Sequence, residues 1–187
     1  RGMAVDVDNS GKCYVAGYIL NPNSGNDIAV IKYNSNGDTL WTRTYNGSAN
    51  SEDKAFGIVT DDNGNIYVTG MVSLPGRSTE LVLLKYNSNG LFRWARTYGA
   101  TAADLEDKGT AIALDGHGNI YVTGFCTNSD GLRDILVQKY SPSGSLLFTK
   151  TEDGEFDANS EGFGIAVDSD NRIYVTGYTA AASGTTD

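Results

Sequence analysis

The feature that most constrains this chain is a repeat of about 53 residues. A heptapeptide of the form Gly-x-x-Tyr-Val-x-Gly begins at Gly11, Gly64 and Gly118, and a fourth copy begins at Asn171. The glycines that end the four copies lie 53, 54 and 53 residues apart: Gly17, Gly70, Gly124 and Gly177. A constant period of this size indicates stacked structural units rather than one irregular domain.

Two further blocks recur in the same register. The first has the form Lys-Tyr-x-x-x-Gly, and the second is an aromatic and cationic strand that closes each unit. Because three separate blocks share one register, each unit is predicted to have the same fold. The blocks are Lys32-Tyr-Asn-Ser-Asn-Gly37, Lys85-Tyr-Asn-Ser-Asn-Gly90 and Lys139-Tyr-Ser-Pro-Ser-Gly144, followed by 40–45, 92–98 and 147–151.

Each unit contains four short runs rich in β-branched and aromatic residues, separated by Gly-containing turns. In the second unit the predicted strands are 55–61, 65–72, 80–87 and 91–98. No stretch shows helical periodicity. Four antiparallel strands per unit predict an all-β fold, a β-propeller of four-stranded blades. The chain 1–187 is predicted to be one propeller segment of about 3.5 blades, at about 3–45, 55–98, 109–151 and, for the half blade, 162–178.

The chain resembles the bacterial repeats often called seven-bladed β-propeller repeats, over residues 4–178. The matching pattern is Asp-x-x-Gly-Asn-x-Tyr-Val-Thr-Gly followed by Lys-Tyr-x-x-x-Gly-x-x-x-Trp. Asn171-Arg172 replaces Gly-Asn in the last unit, and Phe148 replaces the tryptophan of the third. The resemblance implies a secreted or surface-exposed bacterial protein without an assigned reaction. A shorter stretch, Gly37-x-x-x-Trp41 and Gly90-x-x-x-Trp94, is similar to the outer-strand motif of quinone-binding propellers.

The recurring residues are interpreted as structural. The glycines that end the heptapeptides lie within strands, where glycine marks a bulge or a close backbone approach. An aspartate precedes each first turn and is expected to cap it through local hydrogen bonds. The tyrosines of the Lys-Tyr block and the tryptophans are expected to pack between blades, with sugar stacking as the alternative, and the tyrosines of the heptapeptide are interpreted as structural repeat positions. These positions are Asp8, Asp61, Asp115, Asp168, Tyr14, Tyr67, Tyr121, Tyr174, Tyr33, Tyr86, Tyr140, Trp41 and Trp94.

The sequence contains no recognisable catalytic set, and no catalytic, cofactor-binding or metal-binding residue is predicted. Asp6-Val-Asp8-Asn-Ser-Gly11 starts like a calcium loop but lacks the later ligands, so Asp6 and Asp8 are only candidates for calcium. His117, the single histidine, is expected to be an exposed turn residue. Cys13 and Cys126 lie in different units and are expected to be unpaired, which leaves the redox compartment open.

Acidic clusters recur in the segments that cross from one unit to the next: 51–54, 105–108 and 160–161. They are predicted to lie at one end of the propeller. Such a ring would attract a cation or a basic partner, but a solvated rim is the favoured interpretation.

The 23 acidic and 14 basic side chains give a net charge of −9. This charge disfavours nucleic acid, whose binding depends on Lys and Arg contacts to phosphate, and an anionic membrane surface. No apolar run is long enough to insert into a membrane, and the first residues lack the apolar core of a signal peptide. The family resemblance nevertheless leads us to expect an extracellular or cell-surface location.

A ring of seven such blades would need about 371 residues, so 187 residues are too few to close it. We therefore expect either a longer propeller or the assembly of several copies, with an association-prone strand edge at 172–178. The leading function is a non-enzymatic scaffold or binding module with a protein or glycan ligand. One alternative is a lyase or quinone-dependent oxidoreductase with its site at the channel mouth, and another is a carbohydrate-binding module.

Overall fold

The computed structural model describes residues 1–99, 105–154 and 158–179, and the regular structure within these ranges is entirely β. The strands are β1 Gly2–Val7, β2 Cys13–Asn21, β3 Gly25–Tyr33, β4 Thr39–Tyr45, β5 Lys54–Thr60, β6 Ile66–Ser73, β7 Thr79–Tyr86, β8 Phe92–Tyr98, β9 Lys108–Leu114, β10 Ile120–Thr127, β11 Arg133–Tyr140, β12 Leu146–Glu152, β13 Ser160–Val167 and β14 Ile173–Thr179.

The strands form three four-stranded sheets and one two-stranded sheet. Each sheet is antiparallel and follows the chain order: β1-β2-β3-β4, β5-β6-β7-β8, β9-β10-β11-β12 and β13-β14. The predicted all-β propeller of about 3.5 blades is therefore confirmed. We call these sheets blades 1 to 3 and the half blade.

The first strand of each blade is the innermost one. β1 contacts β5, β5 contacts β9, and β9 contacts β13, so the blades fan outward from a common axis and leave the ring open. Each blade has a turn end, where its first strand meets its second and its third meets its fourth. The opposite end is the crossing end, where the chain passes to the next blade.

The core lies between blades rather than within one sheet. Tyr14, Ile28 and Val30 of blade 1 are fully buried in one cluster with Val68 and Leu84 of blade 2. Side chains alternate between the two faces of a strand, so Tyr67, Leu81 and Leu83 project from the other face of blade 2. They form a second cluster with Ile120, Val122 and Leu136 of blade 3. Each interface is thus a continuous apolar layer.

Coverage by neighbours decides how deeply equivalent residues are buried. Ile58 of blade 2 is 7% exposed, whereas Val5, at the same position in blade 1, is 64% exposed. Tyr67 of blade 2 is 1% exposed, whereas Tyr174 of the half blade is 53% exposed. Blade 2 has a neighbour on each face, but the outer faces of blade 1 and the half blade have none within the described residues.

The glycines that end the heptapeptides are required by close backbone approach. A Cβ added at Gly70 would lie 2.0 Å from the carbonyl oxygen of Lys54, and the pairing of β5 with β6 shifts register next to this contact. Gly124 and Gly177 meet the preceding strand in the same way.

We predict that Gly70→Ala lowers the free energy of unfolding by about 2 kcal/mol or more, because backbone atoms must move to admit the methyl group. Gly116→Ala is the control, since no atom lies within 4 Å of the added Cβ and the φ angle there is not positive. Urea unfolding of both variants measures the difference. Equal midpoints for the two variants would contradict the close-contact explanation.

Candidate functional site

The recurring aspartates at the turn end organise the first turn of each blade. In blade 3, Oδ1 of Asp115 accepts hydrogen bonds from the backbone N–H groups of His117 (2.9 Å) and Asn119 (2.9 Å). Its Oδ2 accepts from Nδ2 of Asn119 (2.8 Å) and from the hydroxyl of Tyr121 (3.0 Å). One carboxylate therefore holds the turn and anchors the strand that follows.

The same pairing of aspartate and tyrosine occurs in every unit. The tyrosine hydroxyl lies 2.9 Å from the carboxylate in blade 1, 3.2 Å in blade 2 and 3.0 Å in the half blade. The sequence indicates the hydrogen bonds within the turn but not the one between the aspartate and the tyrosine. The constant spacing of six residues between these two side chains is the signal that could have predicted it. The pairs are Asp8–Tyr14, Asp61–Tyr67, Asp115–Tyr121 and Asp168–Tyr174.

The turn also explains why the fourth unit departs from the repeat. Gly64 and Gly118 adopt φ values of +73° and +75°, in the left-handed region that glycine tolerates. Asn171 occupies the same position with a φ of +62°. Asparagine is among the few other residues that enter this region at low cost, so the replacement preserves the turn.

The calcium candidates are both engaged by protein donors. Oδ2 of Asp6 accepts from the backbone N–H (2.6 Å) and the hydroxyl (2.7 Å) of Thr60 in the next blade. Asp8 holds its own turn. Within the described ranges, no three or more His, Cys, Asp or Glu side chains gather as metal ligands.

The histidine and the cysteines form no site with one another. His117 is exposed in its turn, at the edge of a shallow depression that also contacts Asp61. Cys13 is half-buried and Cys126 is buried, and neither is in a disulfide. Burial raises the pKa of the Cys126 thiol to about 12, and the nearby carboxylates of Asp107 and Asp134 add to the shift. That thiol stays protonated near neutral pH.

The tryptophans lie at the outer side of the interfaces between blades. A Cβ added at Gly90 of blade 2 would lie 2.9 Å from the ring of Trp41 in blade 1. Trp94 lies against Gly144 of blade 3 at the same distance. Tyr86 and Tyr140 are each 2% exposed, so their rings are not available for stacking on a ligand.

The acidic clusters at the crossing end are only in part the solvated rim that was expected: Glu106 is exposed and Glu52 half-buried. Asp53 and Asp107 are fully buried. Asp53 accepts hydrogen bonds from the backbone N–H groups of Gly47 and Ser73, the latter at 2.8 Å, and Asp107 accepts from that of Thr127 at 2.9 Å. Burial raises the pKa of Asp53. The solvated interpretation is wrong for these two residues because they satisfy backbone donors at the ends of β6 and β10 and, for Asp53, in the loop after β4.

Beside these aspartates, near the inner strands, lies a basin of about 340 Å³. We call it the mouth basin. Nζ of Lys108 lies 4.8 Å from the ring centre of Phe56 and 5.5 Å from that of Phe125. The guanidinium of Arg133 lies 4.2 Å from the Phe125 ring centre. Cations at these distances are attracted to the aromatic faces. The lining of the mouth basin also includes Tyr18, Lys54, Met71, Thr79 and Glu106.

Carboxylates pair with the cations of the mouth basin. Glu161, only 5% exposed, lies 3.0 Å from Lys108 and 3.7 Å from Arg133. Arg133 also pairs with Glu106 at 3.1 Å. The basin therefore presents fixed donors and acceptors beside aromatic surface.

Equivalent positions of the four units differ at the mouth basin, whereas they match at the turn end. One inner-strand position carries cations in the first three units and a carboxylate in the fourth. A second position carries Tyr, Met, Phe and Tyr. This contrast is visible only when the units are compared position by position, because no motif marks it. The two sets are Arg1, Lys54, Lys108 and Glu161, and Tyr18, Met71, Phe125 and Tyr178.

A wider depression of about 700 Å³ adjoins the mouth basin. Its walls are the crossing segment around 48–52 and the loop between β6 and β7. The wider depression and the mouth basin share four lining residues: Lys54, Met71, Thr79 and Glu106. Together they form one continuous concave surface at the crossing end.

The turn aspartates predict loss of stability in acid. Burial alone would raise the pKa of Asp115, but its hydrogen bonds with Asn119, His117 and Tyr121 outweigh burial and lower it to about 2. A carboxylate with a lowered folded pKa stabilises the fold above its unfolded pKa of about 4 and loses that contribution as pH falls toward 2.

We predict that urea midpoints of the chain fall between pH 5 and pH 2, and that Asp115→Asn costs about 2 kcal/mol at pH 7 and flattens the pH dependence. Asp130→Asn, at an exposed turn position, is the control and should match the parent chain. An unchanged acid slope in Asp115→Asn would show that this carboxylate is not responsible.

In the described part of the chain, no helix has the length and hydropathy that crossing a membrane requires.

Similarity to one solved structure supports the fold. A protein of unknown function from Bacteroides caccae matches with a TM-score of 0.57 and 13% identity; the match covers 100% of this chain but only 59% of that one. A fucose lectin from Kordia zhangzhouensis in complex with methyl-fucoside (TM-score 0.43, 16% identity, 79% of this chain and 96% of that one) is more distant. The periplasmic gluconolactonase of Pseudomonas aeruginosa is also more distant, with a TM-score of 0.41 and 10% identity; the match covers 99% of this chain and 70% of that one. At these identities the similarity concerns the fold alone.

Sequence comparison identifies the repeat itself. No curated protein matches the chain. A profile described as a β-propeller domain of unknown function matches residues 9–39. The profile described as the β-propeller repeat matches residues 41–71, 94–131 and 157–183, about half of the chain. The chain therefore belongs to the β-propeller repeat family.

Proposed function

We propose that this chain is a non-enzymatic β-propeller binding module whose ligand sits in the mouth basin. The observation that carries the proposal is the contrast between the two ends of the blades. The turn end repeats the same aspartate and tyrosine in each unit, as a shared structural role requires. The crossing end instead combines different side chains from successive units around one concave surface.

The chemistry of the mouth basin supports a polar, hydroxyl-rich ligand of the carbohydrate class. The half-buried rings of Phe56 and Tyr18, each with a lysine ammonium group over one face, offer apolar surface beside those charges to a sugar. Arg133 and Lys108 offer donors, and Glu106 offers acceptors. Because the ion pairs already balance these charges, a neutral ligand meets both donors and acceptors without leaving a charge unpaired.

The location and partners that we propose are consistent with this ligand class. An extracellular or cell-surface protein, as the repeat family implies, encounters glycans and exposed protein surfaces. No cofactor is part of the proposal.

A glycan array probed with labelled chain tests the proposal. We predict binding to a defined subset of glycans, and a loss of affinity of roughly tenfold or more in Arg133→Ala and in Phe56→Ala, since each removes a basin contact worth about 1.4 kcal/mol or more. His117→Ala, at the opposite end, is the matched control and should bind like the parent chain.

Circular dichroism of each variant separates loss of binding from loss of fold. Signals no higher than background across the array, with an intact β-sheet spectrum, would contradict carbohydrate binding. Equal affinity of Arg133→Ala and the parent chain would contradict the mouth basin as the site.

A further inference from the structure

The wider depression beside the mouth basin is formed by two segments that are separate in the sequence. One wall is the crossing segment between β4 and β5, which contributes Ser48, Ala49 and Ser51. The other wall is the loop 74–78, which joins β6 to β7. The depression has a volume of about 700 Å³, against about 340 Å³ for the mouth basin. A ligand confined to the mouth basin would therefore leave the larger part of this concave surface empty.

A buried aspartate holds the two walls together. The carboxylate of Asp53 accepts hydrogen bonds from the backbone N–H of Gly47 in the crossing wall and from that of Ser73, directly before the loop wall, the latter at 2.8 Å. The hydroxyl of Ser73 donates to the carbonyl oxygen of Glu52 at 2.9 Å. Because Asp53 is fully buried, separating the walls would leave its carboxylate without hydrogen-bond partners, which is costly. The spacing of the walls is therefore fixed by the fold.

Further contacts attach the crossing wall to blade 1. The backbone N–H of Asp53 donates to the carbonyl oxygen of Asn26 at 2.7 Å, and Nδ2 of Asn26 donates to the carboxylate of Glu52 at 2.8 Å and 3.0 Å. A Cβ added at Gly25 would lie 2.9 Å from the carbonyl oxygen of Ser51, so this wall lies directly against the backbone of blade 1. A ligand that binds a wall ordered in advance loses less free energy to conformational entropy.

The loop wall is ordered as well, and its sequence is specific to blade 2. The backbone N–H of Arg77 donates to the carbonyl oxygen of Leu74 at 3.1 Å and closes a turn. Its guanidinium pairs at 2.7 Å with the carboxylate of Glu80, which is 6% exposed. The equivalent loops of blades 1 and 3, 22–24 and 128–132, contain no cationic residue. The loop wall thus differs between units, as the mouth basin does.

The depression offers a different chemistry from the mouth basin. Within the described residues its lining contains no aromatic ring, whereas the rings of Phe56 and Tyr18 line the mouth basin. Instead, the depression is rich in hydroxyl groups, with charged side chains among them. Such a surface suits the hydroxyl groups of a polar chain, whereas an aromatic ring suits the apolar face of one sugar. The hydroxyl groups belong to Ser48, Ser51, Ser73, Ser78 and Thr79.

The two cavities open into each other. Lys54, Met71, Thr79 and Glu106 line both of them. Lys54 of β5 and Met71 of β6 are directly opposite each other in the sheet, so one cross-strand pair contributes to both cavities. A single ligand can therefore contact the mouth basin and the depression at the same time.

We propose, on the basis of the proposed function, that the mouth basin and the wider depression are two subsites of one cleft that binds a chain of several sugar residues. One sugar lies against the rings of Phe56 and Tyr18 in the mouth basin. The residues that follow it lie in the depression, between Ser51 and the loop 74–78. Small-molecule sites have volumes of about 300–1,000 Å³, and the mouth basin alone is at the lower end of that range. Because the second subsite is preformed, each further sugar adds contacts without reordering the protein.

Isothermal titration calorimetry of the full chain with oligosaccharides of defined length tests the proposal. The probes are the homologous series from monosaccharide to hexasaccharide of β-1,4-linked glucose, mannose and N-acetylglucosamine. We expect the affinity of a series that binds to rise by roughly tenfold or more from the monosaccharide to the tetrasaccharide. The affinity should then level off, because the depression is filled.

A bulky substitution in the crossing wall shows where the longer probes lie. Ser51→Trp places a large ring in the depression and should abolish the gain in affinity of the tetrasaccharide over the monosaccharide. Ser48→Trp, exposed in the same wall, replaces it if circular dichroism shows that Ser51→Trp is unfolded. Ser35→Trp, in an exposed turn at the turn end, is the matched control and should keep the full gain. Arg133→Ala should weaken all lengths by a similar factor, because Arg133 lies in the mouth basin.

The results also separate the second subsite from the proposed function. Equal affinity for all lengths of a series that binds, or a full gain in a folded Ser51→Trp or Ser48→Trp variant, would overturn the second subsite and leave the mouth basin as a site for one sugar. Absence of binding by all three series and across the glycan array, with an intact β-sheet spectrum, would overturn both.

Discussion

The structure depends on the packing of each blade against the next. A blade is a thin twisted sheet with apolar side chains on both faces, so it cannot bury its hydrophobic surface by itself. The two clusters around Tyr14 and Tyr67 show how the problem is solved, since each joins side chains from two blades into one layer. Neighbouring blades thereby become each other's core, and stability accumulates through nearest-neighbour interfaces as in other repeat proteins.

Polar contacts give these apolar interfaces their register. At the turn end, an aspartate fixes the backbone of the turn and receives a tyrosine hydroxyl. At the outer side of the first interface, Nζ of Lys32 and Nε of Arg43 donate to the turn carbonyls of Ser88 and Gly90 in the next blade, and the second interface repeats both contacts. Because charged donors make stronger hydrogen bonds than neutral ones, these few contacts set how one blade sits on the next. The side chains that differ from unit to unit lie instead at the crossing end.

The repeat was sufficient to predict the fold, but the crossing end could not be predicted from it. Three blocks in one register indicated four-stranded blades, and Asp-x-x-Gly indicated the turns because both residue types act locally. Asp53 was misinterpreted because its donors, Gly47 after β4 and Ser73 at the end of β6, lie in different parts of the chain, so its burial depends on tertiary packing. The mouth basin likewise combines Phe56, Lys108 and Arg133 from three separate strands. Residues of blade 2 are more deeply buried than the equivalent residues of the outer blades because blade 2 has a neighbour on each face. No local sequence pattern contains that information.

Native-state hydrogen exchange is the most direct measurement of the claim that stability lies between blades. Amides exchange through openings whose free energy ranges from near zero at frayed segments to the global value in the core. We predict the slowest exchange in β6, β7 and β10, which are buried on both faces, intermediate rates in β2, and the fastest in β14. Equal protection of β14 and β6, or blade 1 as the most protected unit, would contradict that claim.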